Sequence, residues 1–145
     1  MMSFEYFTLL GGLLSRIEVE QTHSIRSAGE MVADSIAQGG ILHTFGSGHS
    51  HMIAEEAFFR AGGLAPVNVI LDERLVFLKG AAESTRAERE SGYADVLLER
   101  EDIRAHDVAI VISNSGRNAV PIEMALGMKA RGVNVIAITK SFVAC

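Results

Sequence analysis

Apolar side chains recur at helical spacing over the first quarter of the chain: Phe7, Leu10, Leu14 and Ile17, then Ile25, Ala28, Val32 and Ile36. This periodicity predicts two N-terminal helices, near 3–20 and 22–38. Gly39 and Gly40 follow and supply the stop that glycine gives at a helix C-terminus. The first helix carries a second apolar set off its main face, Phe4, Tyr6, Leu9 and Leu13. A helix apolar on two sides predicts a partner subunit against one of them. From residue 41 the pattern changes. Four short, β-branched runs follow, 41–45, 67–71, 108–112 and 133–138, with almost no polar alternation. Strands buried on both faces read this way, which predicts a parallel sheet covered by helices. Helical stretches near 50–61, 92–100 and 118–131 lie between the runs. The expected fold class is therefore α/β, a three-layer αβα sandwich with a parallel sheet. Residues 72–92 are polar, and they read as a long loop with one helical turn, a natural place for a functional insertion. The whole span 1–145 reads as one domain, helices over 1–38 and an α/β core over 39–145.

Composition narrows the function classes. Hydrophobic residues make up 48% and charged residues 21%, which excludes a disordered chain. Lys and Arg total 13 against 18 Asp and Glu, so the basic excess of a general nucleic-acid binder is absent. The single cysteine, Cys145, permits no internal disulfide and no cysteine zinc site. The apolar start, Met1 to Leu14, has Glu5 inside it, two glycines across it and Arg16 only after it, so neither a signal peptide nor a membrane span is expected. A cytoplasmic protein is the expectation.

Two turns rich in glycine and serine follow two of the buried runs. The first is Gly46-Ser47-Gly48-His49-Ser50; the second is Ser113-Asn114-Ser115-Gly116-Arg117-Asn118. Both fall at strand C-terminal ends, the edge of an open α/β sheet where ligands bind. Each leads into a predicted helix N-terminus, where free N–H groups and the dipole favour an anion. Serines and asparagines also cap helices routinely, but two such turns on two buried strands point to phosphate. Neither turn is a P-loop, because Gly-Lys-Ser/Thr is missing, and neither is the dinucleotide fingerprint. In the following helix His51 and Glu55 are four apart and share a face, a pair able to pass protons near neutral pH. Glu56 with Arg60 reads as a surface pair. His43, inside a strand, reads as a satisfied core histidine; Arg86, Arg89 and their acidic neighbours in the polar stretch read as a solvated face, with a substrate clamp by Arg89 as the lesser alternative. His49, His51 and Glu55 form a two-histidine, one-carboxylate set, but neighbouring loop and helix positions control such geometry poorly, so no metal and no cofactor are expected.

These residues resemble the SIS (sugar isomerase) domain. Ser113 to Gly116 resembles its S-x-S-G signature, and Gly46 to Ser50 its first sugar-phosphate loop. The stretches 45–64, 90–94 and 112–125 are most similar to an uncharacterised bacterial subfamily of SIS proteins assigned to the phosphosugar isomerases. The broader resemblance is to phosphoheptose isomerase, and a more distant one is to N-acetylmuramic acid 6-phosphate etherase. The resemblance implies a five-stranded parallel sheet of flavodoxin-like order binding a small-molecule sugar phosphate at the two serine loops. Carried onto this chain, Ser113, Asn114, Ser115, Gly116 and Asn118 would hold phosphate, and Ser47, Gly48, His49 and Ser50 would meet phosphate or sugar. The catalytic carboxylate would be Glu55 or Glu56, with Glu55 favoured as the general base and His51 as acid or orienter. The activity implied is aldose–ketose isomerisation of a sugar phosphate. The alternatives are a non-catalytic phosphosugar-binding or sensing module, or a sugar-phosphate etherase or lyase. A homodimer or larger homo-oligomer is expected. The family's fifth strand and C-terminal helix have no counterpart in this sequence, so the chain is expected to be C-terminally truncated.

Overall fold

The computed structural model describes residues 2–140, with side chains from Phe4 onward. The elements run α1 (Met2–Ala37), β1 (Leu42–Gly46), a short 3-10 turn (Gly48–Ser50), α2 (His51–Glu56), β2 (Val67–Ile70), α3 (Ala81–Ala87), α4 (Tyr93–Leu98), β3 (Val108–Ser113), α5 (Ala119–Ala130) and β4 (Asn134–Thr139). The four strands form one parallel sheet in the order β2-β1-β3-β4. Both faces are covered, as near-continuous apolar strands require. On one face Phe45, Ala109 and Val111 pack against Ala87 of α3, Leu97 and Leu98 of α4, and Val120, Met124 and Met128 of α5. On the other, Leu42, Val67 and Val108 meet Val32 of α1 and Ala57. Alternate residues of β1 and β3 therefore feed opposite layers, which gives the three-layer αβα sandwich.

Four elements differ from the sequence expectation, the first being α2, which ends at Glu56 rather than near residue 61. The two predicted N-terminal helices are one continuous helix, α1. Nothing at Gln21, Thr22 or His23 breaks a helix: none is glycine or proline, the Thr22 hydroxyl donates back to the Glu18 carbonyl, and Arg16 pairs with Glu20 at 3.3 Å. Its end does fall at the glycine pair, where the Gly40 N–H reaches the Ser35 carbonyl at 2.8 Å. The polar stretch 72–92 holds a seven-residue helix, α3, rather than a single turn. The strand β4 is only partly covered, with Ile138 48% exposed, because it has one neighbour instead of two among the described residues. Along α1, residues 4–26 are exposed throughout, including Phe4, Phe7, Leu9 and Leu14.

Candidate functional site

The chain passes from β1 outward to β2, then returns across β1 to β3 on its other side, so the strand order reverses between β1 and β3. Their loops part there and leave a crevice at the strand C-terminal ends. Gly46 is in register with Ile112, which sets the two serine turns side by side. Each turn depends on a glycine. The first folds back so tightly that a Cβ on Gly46 would stand 2.5 Å from the Ser50 carbonyl oxygen. The second needs φ +59 at Gly116, a left-handed conformation that costs other residues energy.

Between the turns lies a cleft of about 540 Å³. Of the residues singled out in the sequence, Ser47, Gly48, His49, Ser50, Ser113, Asn114, Ser115 and Asn118 line it, and so does Arg89. In the second turn the serine hydroxyls accept rather than donate: Ser113 Oγ takes the Gly116 N–H at 3.1 Å, and Ser115 Oγ takes the Arg117 N–H at 3.4 Å. Each O–H is left to donate to something else. Gly116 shapes the turn and borders a neighbouring groove beside Thr139. Asn118 is the N-cap of α5.

His51, Glu55 and Glu56 are not among the lining residues. His51 is fixed behind the first loop, its Nδ1 on the Gly48 carbonyl and its Nε2 3.8 Å from the Glu55 carboxylate. The Glu55 side chain is 47% exposed. Glu56 pairs with Arg60, as the spacing indicates, and borders a separate apolar hollow. The His49 ring packs instead on Phe77, with ring centres 4.6 Å apart. Among the described residues no three His, Cys, Asp or Glu side chains gather into a metal-binding group.

The rest of the lining comes from the polar insertion: Phe77, Ser84, Thr85 and Glu88, with Arg117 from the second turn. The insertion folds over the first loop, and the Gly48 N–H donates to the Leu75 carbonyl at 2.9 Å. Phe77 is held at φ +59, rare for a non-glycine residue and costing on the order of 1 kcal/mol. A guanidinium hub keeps the insertion in shape. Arg74 binds Glu83 at 2.8 Å and Glu90 at 2.6 Å and sits 4.5 Å from the centre of the Tyr93 ring. The hydrogen bond from Arg74 holds the Glu83 carboxyl below its usual pKa. Burial, with the Tyr93 hydroxyl donating to Asp72 at 2.8 Å, raises the Tyr93 phenol. Glu88 meets the first loop directly: its carboxylate accepts the Ser47 hydroxyl at 3.2 Å. The only sequence signal for these residues was the polarity of 72–92. Ser84 and Glu88 are one helical turn apart, but nothing local says that this turn faces the serine loops.

His43 does prove to be a core histidine, 2% exposed. Its Nε2 lies 3.1 Å from Asp107 and its Nδ1 3.2 Å from the Asn68 amide nitrogen, so the partners place its proton on Nε2.

Comparison with known proteins agrees with the fold. The sequence profile of the SIS domain matches residues 5–140. The UPF0309 protein of Halalkalibacterium halodurans is 44% identical over 138 residues, covering 95% of this chain and 55% of that protein. The UPF0309 protein of Listeria innocua is 46% identical over 134 residues, covering 92% and 54%. The chain thus spans about half the length of the curated relatives it matches. A phosphoheptose isomerase from Neisseria gonorrhoeae shares the fold at a TM-score of 0.68 and 22% identity, over 95% of this chain and 73% of that one. A phosphoheptose isomerase from Francisella tularensis does so at 0.59 and 18%, over 96% and 76%.

Proposed function

This chain belongs to the SIS domain family, and on that premise we propose that its cleft binds a sugar phosphate and that the reaction run there is aldose–ketose isomerisation. One observation carries the reading. Two serine turns from adjacent strands line a single cleft where strand order reverses, with the Ser113 and Ser115 hydroxyls left to donate and the guanidinium-bearing residues Arg89 and Arg117 beside them. That combination suits a phosphate dianion. A volume of about 540 Å³ admits a sugar as well. The phosphoheptose isomerases that share the fold act on sugar phosphates, which is the substrate class proposed here.

In the proposed reaction a general base removes the proton on the carbon beside the carbonyl. The released electron pair forms an enediolate with its charge on the carbonyl oxygen, the hydroxyl proton of the neighbouring carbon passes to that oxygen, and a proton returns to the former carbonyl carbon as the new C=O forms on its neighbour. Glu55 is our candidate base and His51 its orienter, because the Gly48 carbonyl fixes the imidazole on the first loop and Glu55 stands 3.8 Å from its other nitrogen. Phosphate held at the second turn supplies binding energy remote from the reacting carbons. Binding without turnover is the second reading, favoured by the half-exposed Glu55 lying off the cleft lining.

Two measurements test this. Melting shifts with a panel of pentose, hexose and heptose phosphates should identify a ligand, and no shift with any of them would remove the phosphosugar reading. Isomer interconversion is then followed in a full-length relative. There Glu55→Gln is expected to abolish turnover while leaving binding nearly intact, with Glu56→Gln as the control. Full activity in both variants would make this helix a scaffold only. For assembly, we propose a cytoplasmic homodimer or larger species joined through the exposed apolar face of α1, including Phe4, Phe7 and Leu14. A monomer by light scattering would refute it.

A further inference from the structure

The insertion 72–92 contains five acidic residues, Asp72, Glu73, Glu83, Glu88 and Glu90. Four are paired with a cation: Asp72 with Arg100, Glu73 with Lys79, Glu83 with Arg74 and Arg86, and Glu90 with Arg74. Among the described residues Glu88 has no such partner and is the sole acidic side chain lining the cleft. An acid placed in an anion site weakens anion binding unless the ligand also gives it something to accept. Glu88 is nonetheless held there from both sides. Its backbone carbonyl accepts the Val120 N–H of α5 at 3.1 Å, and its Oε2 accepts the Ser47 hydroxyl at 3.2 Å. The same oxygen stands 4.0 Å from where a Cβ on Gly48 would be, so it lies against the first loop. A carboxylate has about four acceptor sites, and the Ser47 hydroxyl uses one of them.

Resting on the sugar-phosphate reading of the cleft, we infer that Glu88 sets its specificity for monophosphate esters of neutral polyols. The carboxylate accepts hydrogen bonds from hydroxyls of the carbohydrate. Its charge works against a ligand with a second anionic group, as in sugar bisphosphates, and against free inorganic phosphate, which brings charge without hydroxyl donors. Glu88 is thus a specificity-determining residue, distinct from the candidate proton-transfer pair.

The test is calorimetric titration of the intact chain and of Glu88→Gln and Glu88→Asp with three kinds of probe. These are pentose, hexose and heptose monophosphates, fructose 1,6-bisphosphate and ribulose 1,5-bisphosphate, and inorganic phosphate. For the unaltered chain, at least one monophosphate should bind about tenfold or more tighter than the bisphosphates and inorganic phosphate. Glu88→Gln should weaken that monophosphate by about tenfold and tighten the bisphosphates, closing the gap. Glu88→Asp keeps the charge but shortens the reach, so it should still reject bisphosphates while binding the monophosphate less well. Circular dichroism checks that both variants fold; the bond from Val120 is to backbone and survives either change. If Glu88→Gln folds and keeps the full preference for monophosphate, the specificity role is overturned and the sugar-phosphate reading stands. If Glu88→Gln does not fold, Glu88→Asp decides: unaltered monophosphate affinity overturns the role. If the unaltered chain binds none of these probes, or inorganic phosphate as tightly as any ester, the reading beneath it fails and takes the inference with it.

Discussion

The sheet carries a polar cluster near each end of its strands, and the two are built on opposite lines. At the strand N-terminal ends, Asp107 accepts the Ile41 N–H at 2.9 Å, the Arg104 N–H at 2.8 Å and the His43 ring N–H at 3.1 Å. His43 reaches Asn68, and Asn68 donates to Glu101 at 2.8 Å. The donors and acceptors of this cluster answer one another inside the protein. At the C-terminal ends, Ser113 and Ser115 use lone pairs on their own loop and keep their O–H groups for something outside it. Both clusters are rich in polar side chains on a buried sheet. A closed network stabilises the fold, whereas an open one is ready for a ligand. Mutations should therefore act on stability at one end and on affinity at the other.

The largest effect is expected at the closed end. Asp107→Ala leaves three donors without an acceptor where the side chain is 1% exposed. Each buried unsatisfied group costs about 1–3 kcal/mol, so a loss of about 3 kcal/mol or more is expected in urea unfolding. A change within about 0.5 kcal/mol would mean that the network is incidental.

The same residue predicts a pH dependence of intermediate size. Burial pushes the Asp107 carboxyl up, but the N–H groups of Arg104 and Ile41, together with His43, outweigh it and hold the pKa below the usual carboxylate range. A carboxyl lowered by folding contributes its full stabilisation above its unfolded value of about 3.9 and loses it as pH falls through the folded value. Stability should drop on acidification below roughly pH 4, and Asp107→Asn should flatten that part of the curve. Parallel curves for the two proteins would show that other carboxylates govern acid unfolding.

The comparison also shows what can be read along the chain and what cannot. The serine turns were legible because glycine, serine and asparagine follow buried β-branched runs, and the requirement at Gly46 is local. His43 was legible as a core residue because a histidine inside an apolar strand must find partners there. Asp107 was not, since it lies 64 residues away and joins His43 only when β1 and β3 pair. Glu88 was hidden for a related reason. On the sequence it is one charge among many in a polar stretch. It enters the cleft because Arg74 and Tyr93 fold that stretch back over the first loop. The candidate pair His51 and Glu55 was visible as helical spacing, yet α2 ends at Glu56 and the pair stays outside the cleft lining. Spacing fixes which residues share a face but not which way that face turns.

The smallest effect on the fold, and the sharpest test of the open end, is Ser115→Ala. Among the described residues the Ser115 hydroxyl makes one long contact, accepting the Arg117 N–H at 3.4 Å. The residue is only partly buried. Removing the hydroxyl should therefore leave unfolding within about 0.5 kcal/mol of the unaltered chain. Affinity is a different matter, because the lost O–H is the group proposed to donate to phosphate. One such bond is worth about 1 kcal/mol, or roughly a fivefold weaker sugar-phosphate titration, and more when the acceptor is charged. Ser113→Ala is a stricter companion. Its Oγ accepts the Gly116 N–H at 3.1 Å, so that change also loosens the turn and should cost some stability along with affinity. If Ser115→Ala leaves the titration unchanged, the second turn does not hold the phosphate. If it lowers stability as much as Asp107→Ala does, the two ends of the sheet are not built on different lines.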